Sequence, residues 1–359
     1  MTAAACCRLR RVARPPLWRG ARKAVRLSCM QENLDRGRIH ILVGAHCNNN
    51  CVFCMEEDRE ARRAIISSQT PQAIKNLILA SRGAEEVLFT SGEPTLNPHL
   101  VTYVRLAAAV GFPTVGVISN GRRFADLRYL ATLLDAGLNA VTVSIHGPDA
   151  RVHDALTRTP LAFAQTAQGL ANIAFMRRSR SFRFHTSTVL NRRNLPLFDA
   201  MLRFLAEFEA DAHIFNVMMP EGRGERLFDA LMPRYREVAT EVAASIKSLP
   251  FALVERVALV DIPPCCTEGL LPQVRGHVEQ HAHFEPDGRF QELLAARAGV
   301  VAPRGQKVDN FEQVSSSSRD AMGRVKGPAC ALCRYDPSCP GVYRTYVERV
   351  GFEEFRPVR

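Results

Sequence analysis

Apolar positions along this chain recur in two alternating rhythms. Short apolar blocks at Ile39–Val43, Glu86–Thr90, Thr114–Ser119, Ala140–Ile145, Phe182–Leu190 and Ala212–Met218 have the length and β-branched content of buried strands. Between them lie longer amphipathic stretches of helical period. Gln72–Arg82 follows Thr70-Pro71, an N-cap with proline at the first helical position. Asn97–Val110 stops at Gly111 and Ala125–Ala136 at Gly137, while Leu161–Arg177 and Leu195–Glu209 complete the set. Strands alternating with helices in this way predict parallel βαβ units with right-handed crossovers. Six units are too few to close an eight-fold barrel, so the expected fold is α/β, a partial (six-unit) β/α barrel. Its active site is expected at the carboxyl ends of the strands.

Beyond the sixth strand the pattern changes. After Glu221-Gly222-Arg223-Gly224 a long helix is expected over about 226–249, then a strand over 251–261 that runs into Pro263-Pro264-Cys265-Cys266. The stretch 300–327, rich in Gly, Ser and charge and including Ser315–Ser318, reads as a loop or linker. A short helix is expected over 341–349. This divides the chain into a basic, disordered arm (1–36), a barrel (37–250) and a cysteine-rich extension (251–359).

Charge changes the picture only by its location. The chain of 359 residues carries a net charge of +11. Its first 30 residues hold eight basic side chains (Arg8, Arg10, Arg11, Arg14, Arg19, Arg22, Lys23 and Arg26) and no acid, which leaves about +3 for the rest. The excess is a tail and not a basic groove, so nucleic acid is not an expected partner. The tail reads as a disordered arm, a transit-like segment or a start placed upstream of Met30. No apolar run reaches about 18 residues, and no membrane span is predicted.

The 11 cysteines are clustered. Cys6, Cys7 and Cys29 lie in or beside the tail, and none falls between Cys54 and Cys265. A secreted disulfide scaffold would be short and stapled throughout. Clustered thiols in a long chain without a secretory signal point to metal sites in a reducing, cytoplasmic setting.

The first cluster is Cys47-Asn-Asn-Asn-Cys51-Val-Phe-Cys54, a C-x3-C-x2-C pattern directly after a strand. Three thiolates on one loop can hold three irons of a 4Fe–4S cubane and leave the fourth iron open to an amino acid's amine and carboxylate. Cysteines alone supply three of the four ligands that a zinc site takes, though His46 could add a fourth. Further along, Ser91-Gly92-Glu93-Pro94 follows the second strand and Ser119-Asn120-Gly121 follows the third. Together these motifs resemble the radical S-adenosylmethionine (SAM) superfamily. Ser91 departs from the family's Gly-Gly-Glu-Pro, standing where the first glycine would be. The resemblance implies a SAM-binding 4Fe–4S cluster on Cys47, Cys51 and Cys54. It also implies Phe53 near the adenine, Gly92 allowing close backbone approach, and Glu93 accepting from the SAM ammonium. Asn120, Ser144 and Asn191 would be further ligand contacts.

The second cluster, Cys330-x2-Cys333-x5-Cys339, supplies three more thiolates. Cys265 or Cys266 could add the fourth, with Cys265 preferred. Four thiolates would close an auxiliary 4Fe–4S cluster, and a structural zinc ribbon is the alternative. This ending resembles the SPASM or twitch extension of radical SAM enzymes. His277, His281 and His283 read as surface residues.

The same resemblance implies reductive cleavage of SAM to a 5′-deoxyadenosyl radical, with flavodoxin or ferredoxin as electron donor. The expected substrate is a peptide or protein side chain, recognised with a separate leader-binding protein. The alternatives are a small-molecule step in cofactor or metabolite synthesis and a non-catalytic iron–sulfur protein.

Overall fold

The computed structural model describes residues 38–55, 70–82, 84–267, 270, 323–336 and 339–359. The basic arm, Cys6, Cys7, Cys29, the three histidines at 277–283 and most of the 300–327 stretch lie outside the described residues.

Seven parallel strands form one sheet in strict chain order: β1 (Arg38–Leu42), β2 (Glu86–Thr90), β3 (Thr114–Ser119), β4 (Ala140–Ser144), β5 (Arg183–Leu190), β6 (Ala212–Val217) and β7 (Val257–Val260). Neighbours are hydrogen-bonded throughout, while β1 and β7 do not pair with each other, so the sheet is open. The fold is the expected α/β partial barrel, with a seventh strand added by the 251–261 segment. A one-turn helix, Phe251–Val254, occupies the first part of that segment and only Val257–Val260 enters the sheet.

The crossovers are α1 (Pro71–Ala80), α2 (Leu100–Val110), α3 (Leu127–Asp135), α4 (Ala150–Thr157), α5 (Ala162–Met176), α6 (Phe198–Ala206) and α7 (Tyr235–Lys247). Their ends follow side-chain chemistry. Thr70 caps α1 by accepting from the amide of Ala73 at 3.1 Å, and Gly111 ends α2 in the left-handed region at φ 95°. Two elements depart from the sequence reading. The long helix expected over 226–249 is three pieces, Arg223–Arg226, Phe228–Leu231 and α7, because the chain turns extended at Met232 ahead of Pro233. Helix α4 has no counterpart in the sequence reading; Asp149 caps it by accepting from Val152 N at 2.9 Å.

The sheet is covered on its flanks by apolar helix faces, as a parallel sheet requires. Phe89, Val104, Leu133, Phe184, Phe198 and Phe215 are among the fully buried side chains of a continuous core. The C-terminal segment adds a two-stranded antiparallel ribbon, β8 (Arg324–Val325) with β9 (Val342–Tyr343), and α8 (Arg344–Val350). It joins the body through Tyr346, buried against Tyr235, Phe228 and Phe355. Arg236 adds to the joint, its Nε donating to Glu354 O at 2.7 Å. Asp261 and Arg324, both almost wholly buried, approach to 3.7 Å.

Candidate active site

The loop after β1 carries Cys47, Cys51 and Cys54, none of them in a disulfide; Cys47 is exposed and the other two half-buried. Three other segments hold this loop. From α4, the carbonyls of Thr157 and Leu156 accept from Asn50 N at 2.8 Å and Val52 N at 2.9 Å. These carbonyls lie at the helix C-terminus, where carbonyls lack helical partners, so the helix absent from the sequence reading helps to hold the cysteine loop. From the loop after β3, Asn120 Nδ2 donates to Asn48 Oδ1 at 2.6 Å. There too Arg122 donates to Asn49 Oδ1 at 3.0 Å and to the Asn48 carbonyl. From the turn after β6, Arg223 Nη1 donates to Asn50 O at 2.9 Å and Cys51 O at 2.5 Å, and its amide to Cys54 O at 3.0 Å. Gly222 has φ 57°, and a Cβ there would stand 2.8 Å from Cys54 O and 2.9 Å from Met55 O.

Gly92 and Glu93 sit against the same loop. Gly92 has φ 56°, and a Cβ there would lie 2.5 Å from His46 O, so only glycine lets the two backbones meet. Glu93 N donates to that same carbonyl at 2.8 Å. The Glu93 carboxylate is almost wholly buried and faces protein donors. Its Oε1 accepts from Thr95 N (3.0 Å), Thr95 Oγ1 (2.6 Å) and Ser119 Oγ (2.7 Å), and its Oε2 from Asn120 N (2.7 Å). Burial raises its pKa, and the four hydrogen bonds oppose that shift. Glu93 therefore ties the loop after β2 to the loop after β3, and one acceptor position on Oε2 remains open to a further donor. Ser91 sits at φ 75° with its hydroxyl buried and unpartnered among the described residues. The departure from glycine thus falls at a left-handed position that glycine would occupy without strain.

The remaining residues singled out in the sequence divide by how far the protein itself uses them. Asn120 is fully engaged: besides the bonds above, its Oδ1 accepts from Arg122 N at 3.1 Å and its carbonyl from Thr166 Oγ1 of α5 at 2.9 Å. Asn191 is buried and spends its amide on its own turn, with Nδ2 to Val189 O at 3.1 Å and Oδ1 from Arg193 N at 3.0 Å. Ser144 is half-buried at the carboxyl end of β4. Phe53 is buried and meets the ring of His146 edge-on, with centroids 4.7 Å apart.

The donor set fits an iron–sulfur cluster. Three thiols lie on one loop, with an Arg guanidinium next to them. Burial, with the like charges of Cys47 and Cys54, pushes the Cys51 thiol up to about 12, and Arg223 opposes this. A bare thiolate is therefore disfavoured here, and a bound cation would take the proton's place. Arg122, Arg223 and Gly222 are residues that sequence reasoning does not single out. The available signal is the Gly-Arg-Gly run after β6, which reads only as a helix start.

In the C-terminal segment Cys265, Cys330 and Cys339 approach closely enough to influence one another's ionisation. Cys265 is half-buried and its pKa is lowered, chiefly by a hydrogen bond from Cys266. Cys266 instead turns into the core, with its thiol 3.6 Å from Glu354 O. Cys333 is half-buried on the same stretch as Cys330. Among the described residues no three His, Cys, Asp or Glu side chains are grouped for a single metal ion, and no helix is long and apolar enough to cross a membrane.

Comparison with known proteins follows the same lines. The family model of the Radical SAM superfamily matches residues 41–204. AdoMet-dependent heme synthases of Oleidesulfovibrio alaskensis and Methanosarcina barkeri are 29% and 30% identical over 187 and 183 residues. Each match is 50% of this chain, and it covers 45% and 50% of those proteins, so the chain spans about half their length. A GTP 3',8-cyclase of Chlorobaculum tepidum is 28% identical over 227 residues, 60% of this chain and 67% of that protein. Among solved structures, Streptococcus suis SuiB bound to S-adenosylmethionine matches with a TM-score of 0.54 at 13% identity, over 94% of this chain and 80% of that one. Native anSMEcpe with bound AdoMet and Cp18Cys peptide matches with a TM-score of 0.56 at 13% identity, over 89% and 92%. Those two likenesses are of fold. The match of residues 41–204 and the open parallel sheet on which the three-cysteine loop is mounted together make this part of the chain similar to the radical SAM superfamily domain.

Proposed function

We propose that this protein is a radical SAM enzyme whose Cys47, Cys51 and Cys54 hold the SAM-binding 4Fe–4S cluster. The observation that carries this is the three-thiol loop, clamped by α4, Asn120, Arg122 and Arg223 beside the Gly92–Glu93 turn. A cluster held there would supply the electron for reductive cleavage of SAM to methionine and a 5′-deoxyadenosyl radical able to take a hydrogen atom from substrate. The chain's own part is positioning. Gly92 keeps the backbone open, the remaining acceptor position of Glu93 Oε2 would take the SAM ammonium, and Phe53, Ser144 and Asn191 would be the contacts for the nucleoside.

A second cluster on Cys265, Cys330, Cys333 and Cys339 completes the reading, as in a SPASM or twitch extension. The mutual influence of Cys265, Cys330 and Cys339 supports it, and the inward turn of Cys266 supports Cys265 as the fourth ligand. With four thiolates, its role is electron transfer and not substrate anchoring. The electron donor would be flavodoxin or ferredoxin, and the setting the cytoplasm.

The substrate in the first reading is a peptide or protein side chain, which the peptide-bound structural relative supports. A small-molecule substrate is the second reading, favoured by the sequence relatives named heme synthase and GTP 3',8-cyclase. The test begins with anaerobic reconstitution, SAM and dithionite. Formation of 5′-deoxyadenosine that is absent in Cys51→Ala supports the assignment. An intact cluster that neither cleaves SAM nor changes its electron paramagnetic resonance spectrum on SAM addition refutes it. A mass loss of two hydrogens from a peptide then supports the first substrate class, and silence across a peptide panel the second.

A further inference from the structure

Two residues beyond the end of β4, His146 stands at the edge of the site with a bonding pattern that defines its protonation. Its Nδ1 accepts from the backbone amide of Val189 at 3.2 Å. An amide can only donate, so Nδ1 is the bare nitrogen and Nε2 carries the hydrogen. Burial, reinforced by the neighbouring His153, keeps the ring's pKa well below the usual imidazole range, so the ring is neutral.

The ring is also held in place. His153 stacks on it at 5.8 Å with planes 7° apart, and His153 Nδ1 accepts from His146 N at 3.1 Å. Asn194 Nδ2 donates to its carbonyl at 3.0 Å. Phe53, next to Cys54 on the cysteine loop, also meets the ring, edge-on with centroids 4.7 Å apart. The Nε2 atoms of His153 and His213 are sealed in the interior without partners, but that of His146 is not. No protein group among the described residues bonds to it. An oriented, pH-insensitive N–H donor therefore opens beside an aromatic ring, directly next to the cysteine loop. That pairing of an apolar face with one fixed donor suits a purine nucleoside, whose ring needs surface and whose nitrogens and ribose oxygens need a donor.

We infer that His146 binds the adenosyl part of SAM by donating a hydrogen bond from Nε2. This rests on the radical SAM reading and adds a contact that the motifs do not contain.

The test uses the full chain, reconstituted without oxygen, and measures binding of SAM and of methionine alone by calorimetry. His146→Asn keeps an acceptor for Val189 N and removes the outer donor, while His146→Gln returns an amide near the Nε2 position. Loss of one neutral hydrogen bond predicts SAM binding about 3- to 10-fold weaker in the Asn variant, with partial recovery in the Gln variant. Methionine binding is expected to stay the same, because methionine lacks the nucleoside. SAM affinity of wild type is expected to be flat from about pH 6.5 to 8.5, since the ring is already neutral there. If His146→Asn binds SAM within twofold of wild type, or weakens methionine equally, the inference falls. If wild type itself binds no SAM, the radical SAM reading falls instead, so the two failures are distinct.

Discussion

Replacing Glu93 by Gln separates a carboxylate that awaits a ligand from one that already holds the site together. Glutamine can point its oxygen at Thr95 and Ser119 and keep three bonds, but its amide then faces Asn120 N, another donor. Asn120 N, in a buried residue, is left unpaired, at a cost of about 1–3 kcal/mol. The three surviving bonds lose their charge assistance and weaken by roughly half. Removing a buried charge returns part of this, since burial already raises the Glu93 pKa. The net expectation is a loss of about 2 kcal/mol in the protein without SAM, read as a lower midpoint in urea at unchanged slope. A residue that served only the ligand would leave that midpoint untouched. A change below about 0.5 kcal/mol would refute the claim that Glu93 ties the two loops.

Arg223→Met removes the two bonds to Asn50 O and Cys51 O while keeping the stem; it should lower iron retained through gel filtration, and full retention would sink the clamp. Cys265→Ser should lose the iron of one cluster, about half the total, whereas Cys266→Ser should keep the iron and unfold more readily, because Cys266 lies in the core; the reverse pattern would exchange their roles. Acidification should lower stability between about pH 7 and 5. Burial holds His153 and His213 down to about 4, so the unfolded chain binds protons that the folded one refuses, and stability falls as pH drops. Asp261, pushed up to about 6 by burial, acts oppositely, since its folded-state proton favours the fold at low pH and that contribution is lost as pH rises through 6. It flattens the slope below that pH without reversing it, so a melting temperature that rises from pH 7 to 6 would contradict the two buried histidines. Ser91→Gly should stabilise the fold by about 1 kcal/mol by relieving a left-handed serine, read as a higher melting temperature; no gain would show that this turn stores no strain.

Local pattern alone settles the order of the elements and the chemistry of the loop. Period-2 and period-3.6 patterns are local, so the six βα alternations and the caps at Thr70 and Gly111 were legible. The three-cysteine spacing was legible too, because it lies within eight residues of chain. The seventh strand reads as a strand in the sequence, but its place in the sheet depends on pairing with β6, which no local pattern encodes. Helix α4 escaped because eight residues give a weak periodic signal, and its value lies in two carbonyls that reach a loop about 100 residues away. The same holds for Glu93. Its motif marked it as a ligand contact, while its four donors come from Thr95, Ser119 and Asn120, brought together only when β2 and β3 pair. Arg122, Arg223 and the donor edge of His146 were invisible for that reason. A guanidinium or an imidazole acquires its role from what faces it, and facing is a property of the tertiary structure.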